Sequence, residues 1–131
     1  MRAIDTNVLV RAFVQDDSAQ AKRALDLLKI EAVFVPVTVV LELEWVLRSR
    51  YGFESAVIAQ IMAKMVTLEN LLIGERDAVA QAAARLAQGW GFADALHHAL
   101  SHGCIDFVTF DADLLRRSRR VAEIEPPITR L

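Results

Sequence analysis

Four acidic residues of this chain have apolar neighbours in the sequence, which is an unusual environment for a carboxylate. Asp5 and Asp111 each come directly after an apolar segment, and Glu42 and Asp94 each lie within one. If the fold brings these carboxylates together with no basic partner, they repel, and ionising them in a low-dielectric cleft is costly. A hard divalent cation removes that cost, because Mg²⁺ and Mn²⁺ prefer oxygen ligands and need only one or two direct carboxylates.

Such a metal site is suited to phosphodiester hydrolysis, because a bound ion lowers the pKa of water and stabilises the leaving oxygen. The overall charge agrees with this chemistry. The chain has 15 Lys and Arg against 17 Asp and Glu, a net charge of −2, whereas a protein that simply coats nucleic acid should be basic. If a bound metal ion, rather than lysine or arginine, attracts the substrate phosphate, a nuclease can carry a negative net charge. The alternative at this stage is that these acids are scattered helix caps on a solvated surface.

The elements that must position the acids follow from apolar periodicity and from turn residues. Strands are predicted at 2–4, 33–37, 71–73, 105–110 and 122–125, and helices at 8–14, 18–30, 38–50, 54–66, 77–88, 92–102 and 113–120. The strands are short, apolar and mostly separated by helices. This pattern predicts an α/β fold, a three-layer α/β/α sandwich with a short, mostly parallel central sheet.

The predicted topology offers a way to bring the four acids together. In an open parallel sheet, the carboxyl ends of the strands face one crevice, where ligands bind. Asp5 and Asp111 each follow a predicted strand, and Glu42 and Asp94 lie in the first turns of helices that could border the same crevice. The sequence therefore predicts one acidic site at this edge of the sheet.

Length and composition limit the class of protein. The 131 residues are 54% hydrophobic and 24% charged, which predicts one ordered domain spanning 1–131 and excludes disorder. The longest nearly uncharged apolar run, 32–41, is far shorter than the ~20 residues that a membrane span needs. The N-terminus does not read as a secretory signal, and the single cysteine, Cys104, cannot form an internal disulfide. We expect a cytoplasmic protein that does not associate with membranes.

Four segments, taken in order, resemble the successive motifs of PIN-domain proteins, and most closely those of VapC-type toxins from bacterial toxin–antitoxin pairs. The segments are 4–9 (IDTNVL), 41–48 (LELEWVLR), 92–97 (FADALH) and 109–114 (TFDADL). Each motif is weak alone, but the four together are specific, and the resemblance runs from residue 3 to about residue 125.

The resemblance implies a Mg²⁺- or Mn²⁺-dependent endoribonuclease that cuts RNA and arrests translation until a cognate VapB-type antitoxin blocks it. By position, Asp5, Glu42, Asp94 and Asp111 match the acidic quartet of the family, with Glu42 ligating the metal or orienting the attacking water. Asp113 either supplies a fifth metal ligand or caps the helix that begins there; both roles stay open.

Several neighbouring polar residues are assigned supporting roles. Thr6, Asn7 and Thr109 match family positions that hold the acids by hydrogen bonding. Glu44 lies on a different helical face from Glu42, so we interpret it as structural.

Six arginines are candidates for phosphate contacts near an RNA-cutting centre, although a solvated helix face is the default interpretation. They are Arg48, Arg50, Arg116, Arg117, Arg119 and Arg120.

The remaining residues of chemical interest receive structural interpretations. His98 is expected on a helix surface, Cys104 is expected to be buried next to a strand, and Met62 and Met65 are expected in the core. The mean hydropathy of +0.30 suggests surface covered by a partner. The resemblance implies two partners, a second copy of the chain and the antitoxin.

Two alternatives to an RNA-cutting toxin remain. One is a catalytically silent PIN-like interaction module, and the other is a metal-dependent nuclease that acts on DNA.

Overall fold

The computed structural model describes all 131 residues, which form seven helices and five short strands. In chain order they are β1 (Arg2–Ala3), α1 (Thr6–Val14), α2 (Ser18–Ile30), β2 (Val33–Val35), α3 (Val37–Ser49), α4 (Ser55–Met65), β3 (Leu71–Ile73), α5 (Arg76–Ala87), α6 (Phe92–Ala99), β4 (Phe107–Thr109), α7 (Ala112–Ser118) and β5 (Ile128–Arg130). None of the seven helices combines the length and the hydropathy that crossing a bilayer requires.

Every strand pairing in the structure is parallel, as predicted. β1, β2 and β3 form one sheet in that order, and β4 pairs with β5 in a second sheet. At least one helix lies between every two consecutive strands, and between β4 and β5 an irregular segment follows α7. The predicted α/β class is therefore confirmed.

The three-stranded sheet buries one face more completely than the other. Val33, Val35, Leu71 and Ile73 are all buried, as expected for β-branched and aliphatic residues on a packed strand face. Phe34 lies beside Leu72 in the register between β2 and β3. Their side chains stay 39% and 38% exposed, because successive residues of a strand point to opposite faces.

The helices supply most of the hydrophobic core, a cluster of 25 buried residues. In α3, Val40, Leu43 and Leu47 recur at helical spacing and are fully buried, so this helix is fixed against its neighbours along one stripe. Met62 and Met65 are fully buried on α4, which confirms their predicted place in the core. Each such side chain contributes roughly 1.5–3 kcal/mol by leaving water.

The C-terminal strand differs from the prediction. The sequence predicts it at 122–125, before two prolines, but β5 follows them at Ile128–Arg130. The Phe107 N–H donates to the Pro127 carbonyl oxygen (2.8 Å). Proline lacks an N–H donor but keeps its carbonyl acceptor. Pro127 can therefore accept this hydrogen bond directly before β5 begins.

The segment before β4 also differs from the prediction. The sequence predicts a strand at 105–110, but β4 covers only Phe107–Thr109, and Ile105 is 93% exposed. The prediction that Cys104 is buried is wrong: this residue is exposed. Its N–H donates to the Ser101 carbonyl oxygen (3.1 Å), because Cys104 belongs to the turn that follows α6.

His98 is predicted on the surface of α6 but is buried, with 1% of its area exposed. Its ring Nε2 lies 2.8 Å from the Pro126 carbonyl oxygen. The ring also packs near Trp90 and, edge-on, against Phe107. His98 therefore joins α6 to the C-terminal segment through a contact that sequence periodicity does not reveal.

A polar network joins α1, α2 and the segment after α3. The Arg11 guanidinium donates to Asp16 Oδ1 (2.8 Å), to Gln20 Oε1 (2.6 Å) and to the Tyr51 hydroxyl (3.2 Å). The Tyr51 hydroxyl donates in turn to Asp16 Oδ2 (2.9 Å). The hydrogen bond from Tyr51, and then the charge of Arg11, hold the pKa of Asp16 below its usual value.

We predict that Tyr51→Phe destabilises the protein at pH 7 and that its deficit narrows in acid. The pKa of Asp16 is lower in the folded protein than in the unfolded chain, so ionised Asp16 stabilises the folded state. This stabilisation is complete above the unfolded-state pKa of about 3.9 and is lost as pH falls through the folded-state pKa. Urea unfolding of both proteins, followed by circular dichroism at pH 7 and pH 3, measures the effect. An equal deficit at both pH values would show that Asp16 ionisation is not involved.

Candidate active site

Asp5 and Asp111 each cap the N-terminus of a helix. Asp5 Oδ1 accepts the N–H of Val8 (3.2 Å) at the start of α1. Asp111 Oδ1 accepts the N–H groups of Asp113 (2.8 Å) and Leu114 (3.1 Å) at the start of α7. Each cap uses only Oδ1, so Oδ2 of each carboxylate remains available to another partner. Capping and metal binding are therefore compatible roles here.

Glu42 and Asp94 lie on helices rather than at helix caps. Glu42 is exposed on α3, and Asp94 is partly exposed in the first turn of α6. Oδ2 of Asp94 lies 3.6 Å from the position that a Cβ at Gly91 would occupy. The Asp94 carboxylate thus folds back over the N-terminal end of its own helix.

No basic side chain of the chain neutralises these four acids. The structure contains five ion pairs, and none includes Asp5, Glu42, Asp94 or Asp111. The pairs are Arg2–Glu31, Arg11–Asp16, Lys22–Asp26, Arg48–Glu44 and Arg116–Asp113. No lysine or arginine of the chain therefore occupies these four carboxylates in an ion pair.

Three of the acids lie on elements that pack against one another. Asp5 follows β1, which pairs with β2, and β2 leads through Pro36 into α3, the helix that carries Glu42. α3 packs against both α1 and α6, and Asp94 is on α6. Asp111 follows β4, in the two-stranded sheet.

The four acids do not line a single cavity. Asp5 lines a cavity of about 630 Å³ between α1 and α2. Glu42 lines another of about 440 Å³, together with Ala93, the neighbour of Asp94. Neither cavity is lined by Asp94 or Asp111. No group of three or more His, Cys, Asp or Glu side chains is placed to hold a metal ion.

The donor chemistry nevertheless suits Mg²⁺ or Mn²⁺. These ions take hard oxygen ligands, keep several waters and bind through one or two carboxylates, so a preformed three-residue cluster is not required. Such an ion would bind carboxylates that are not already paired with a lysine or an arginine of the chain.

Of the predicted supporting residues, Thr109 forms a direct hydrogen bond with the backbone of one of the four acids. Its Oγ1 accepts the N–H of Asp111 (3.0 Å), which fixes the backbone before the cap of α7. Thr6 is buried in the first turn of α1, and Asn7 lines the same cavity as Asp5.

Two further acids are paired with arginines. The predicted capping role of Asp113 is wrong, because Asp111 is the N-cap of α7. Asp113 lies in the first turn of that helix and pairs with Arg116 (2.7 Å). The Glu44 side chain is 6% exposed and pairs with Arg48 Nε (2.8 Å). This hydrogen bond raises the pKa of Arg48. The structural role predicted for Glu44 is confirmed.

The six predicted phosphate-binding arginines fall into different surroundings. Arg48 and Arg116 are engaged with acids, and Arg50 lies over the ring of Trp45, 5.8 Å from its centroid. Arg119 is exposed at the end of α7. The last two, Arg117 and Arg120, line a common cavity.

Three arginines that were not predicted as site residues line the cavity of Asp5, namely Arg2, Arg11 and Arg23. Arg23 takes part in none of the five ion pairs. The packing of α1 on α2 brings these residues together, and no spacing along the chain signals it.

We predict that Asp111→Asn folds with nearly the free energy of unfolding of the unmodified protein, whereas Asp111→Ala loses about 1 kcal/mol. Asparagine is as good an N-cap as aspartate, and alanine leaves the two N–H groups without an acceptor. Urea unfolding of the three proteins measures the difference. Equal stability of the alanine variant would refute the capping role.

Comparison with known proteins gives one match. The profile of the PIN domain family matches residues 3–120, nearly the whole chain. No curated protein and no solved structure matches significantly.

Proposed function

Since the chain belongs to the PIN domain family, whose members are generally nucleases, we propose that it is a Mg²⁺- or Mn²⁺-dependent endoribonuclease. The proposed catalytic and metal-binding residues are Asp5, Glu42, Asp94 and Asp111. Asp113 is a further candidate ligand, provided that it exchanges its ion pair with Arg116 for the metal.

One observation carries this proposal. All four acids at the family's motif positions lack a cationic partner in the chain, while neighbouring acids such as Glu44 and Asp113 are paired. Where unpaired carboxylates approach one another, their charges repel, and this repulsion costs free energy. A bound divalent cation would offset it.

When bound, the ion would lower the pKa of a water and neutralise charge on the phosphate. The chain's own residues do the rest. The helix caps hold Asp5 and Asp111 in fixed orientations, so their free oxygens need little reordering to act as ligands. Glu42, exposed and unpaired on α3, would orient the attacking water and accept its proton. In-line attack would leave a 3′-hydroxyl and a 5′-phosphate.

Binding of the RNA would use two sets of arginines. The six arginines identified from the sequence are one set, and the cavity beside Asp5 adds Arg2 and Arg23. Arg23 has no ion-pair partner, and Arg2 is 70% exposed with a long contact (3.4 Å) to Glu31. Both could turn to a phosphate at little cost.

We further propose that the enzyme is a VapC-type toxin that acts in the cytoplasm, forms a homodimer and is blocked by a VapB-type antitoxin. The run of four motifs supports the assignment. Exposed apolar side chains, including Phe34 (39%), Trp45 (47%) and Phe110 (70%), provide surface that such partners would cover.

We predict that Asp5→Asn and Asp94→Asn each lower RNA cleavage by at least about a hundredfold, because loss of one ligand charge weakens the metal site. Fluorescent RNA hairpins in Mg²⁺ or Mn²⁺ buffer provide the assay. The matched control is Asp17→Asn, since Asp17 caps α2 through the Gln20 N–H (3.0 Å) and lies outside the proposed site. Expression of the unmodified chain should also arrest growth, and expression of Asp94→Asn should not.

Full RNase activity in either variant would refute the assignment. Single-stranded and duplex DNA, tested alongside, distinguish the two alternatives. Cleavage of DNA but not RNA would favour the DNA nuclease. Failure to cut any substrate, with no stabilisation by divalent ions, would favour the silent interaction module.

A further inference from the structure

A cavity between the C-terminal ends of α5 and α7 has only arginines among its charged lining residues. Its volume is about 380 Å³, within the range of small-molecule sites. The lining residues are Arg85, Gln88, Trp90, Arg117, Arg120 and Val121.

None of the three guanidinium groups is neutralised by an acid. Arg85, Arg117 and Arg120 are absent from all five ion pairs. In a chain whose net charge is −2, three uncompensated cations around one cavity are a local concentration of positive charge. Their mutual repulsion falls when an anion enters.

Arg85 is held in place but incompletely satisfied. Its Nη1 donates to Gln88 Oε1 (3.2 Å), and its Cζ lies 5.5 Å from the centroid of the Trp90 ring. Its Nε is buried and has no hydrogen-bond partner, and it is the only buried side-chain nitrogen or oxygen in this state. A buried charged donor without an acceptor is costly, which points to an acceptor supplied from outside the chain.

The head group of Arg117 lies close to the loop that follows α5. Its Nη1 lies 3.1 Å from the position that a Cβ at Gly89 would occupy, and Gly89 has a φ of +95°. A side chain at this position would be strained and would displace the guanidinium, so glycine leaves room for the Arg117 head group.

We propose that this arginine cavity binds a backbone phosphate of the RNA substrate. Guanidinium groups match phosphate oxygens with paired, charge-assisted hydrogen bonds, and Arg85 Nε has no acceptor within the chain. The choice of RNA as the source of the phosphate rests on the proposed function. The presence of an oxyanion site does not.

The position of the cavity connects it to two candidate catalytic acids. Trp90 stands immediately before Gly91, the N-cap of α6, and Asp94 lies in the first turn of that helix. Along α7, Arg117 is six residues from Asp111, about 9 Å at ~1.5 Å per residue. A few stacked nucleotides, at about 3.4 Å each, span that distance. A phosphate held here would fix the register of the strand relative to the cut.

The test uses Arg85→Gln and Arg117→Gln, with Lys64→Gln as the control that removes the same charge from an exposed site on α4. Inorganic phosphate is titrated while the arginine Nε–Hε signals are followed by ¹⁵N NMR. Binding of a labelled RNA hairpin is measured by fluorescence anisotropy in EDTA, at several salt concentrations. Thermal melts confirm that each variant is folded, and the two arginine variants provide independent tests.

We expect phosphate to shift the Arg85 and Arg117 signals, and each arginine variant to bind RNA about tenfold more weakly. The salt slope should fall by about 0.7 for each phosphate that the variant no longer neutralises, and Lys64→Gln should behave like the unmodified protein. RNA affinity and slope equal to those of Lys64→Gln would overturn the proposal. Phosphate binding without any change in RNA affinity would overturn the RNA assignment and identify a site for a free anion.

These outcomes are separable from failure of the proposed function. Weakened RNA binding in a protein that cuts no RNA would uphold the phosphate site and refute the nuclease. RNA cleavage by the unmodified protein, with unchanged RNA binding by both arginine variants, would uphold the nuclease and refute the phosphate site.

Discussion

Two carboxylates in this protein cap helices with one oxygen and leave the other oxygen for a partner outside the chain. The backbone N–H groups at the starts of α1 and α7 fix Asp5 and Asp111, and the helix dipole favours their negative charge there. A carboxylate held this way is both structural and available. Glu42 and Asp94, on helices that pack together, add charge that no lysine or arginine of the chain offsets. The proposed activity depends on this uncompensated charge.

The small net charge hides a separation of charges on the surface. Five cations are used in ion pairs with acids that play structural roles, such as Glu44 with Arg48. The acids at the motif positions form no ion pair, and neither do Arg23 and the arginines of the cavity between α5 and α7. An acid that attracts a metal and an arginine that attracts phosphate neutralise one another when they form an ion pair, and neither Arg85 nor Arg117 forms one. The fold keeps Arg85 and Arg117 at the far end of α7 from Asp111, so each group can serve the same substrate.

Local patterns predict much of the fold. Helices with regular apolar spacing, such as α3, and the strand at Leu71–Ile73 are predicted almost to the residue, because periodicity and turn residues are local signals. The placement of Asp5 and Asp111 after strands follows in the same way. The sequence places the starts of the two helices at 8 and 113, whereas they begin at Thr6 and Ala112, directly after the capping aspartates.

Features that depend on distant contacts could not be predicted. The last strand is stabilised by the Pro127 carbonyl, which pairs with Phe107, 20 residues earlier (127 − 107). The burial of His98 likewise requires the Pro126 carbonyl, 28 residues away. The cavities beside Asp5 and Arg85 exist only because helices pack in a particular way, so Arg23 and Arg85 carry no signal in the sequence. The separation of the strands into two sheets is likewise a tertiary feature.

Titration of Mn²⁺ into the protein, with free Mn²⁺ measured by electron paramagnetic resonance, tests the central claim most directly. The unmodified protein should bind Mn²⁺ saturably, and Asp5→Asn and Asp94→Asn should each bind it at least about tenfold more weakly. Asp17→Asn, which alters a helix cap outside the proposed site, should bind like the unmodified protein. Equal Mn²⁺ binding by all four proteins would contradict the claim that these unpaired carboxylates form a metal site.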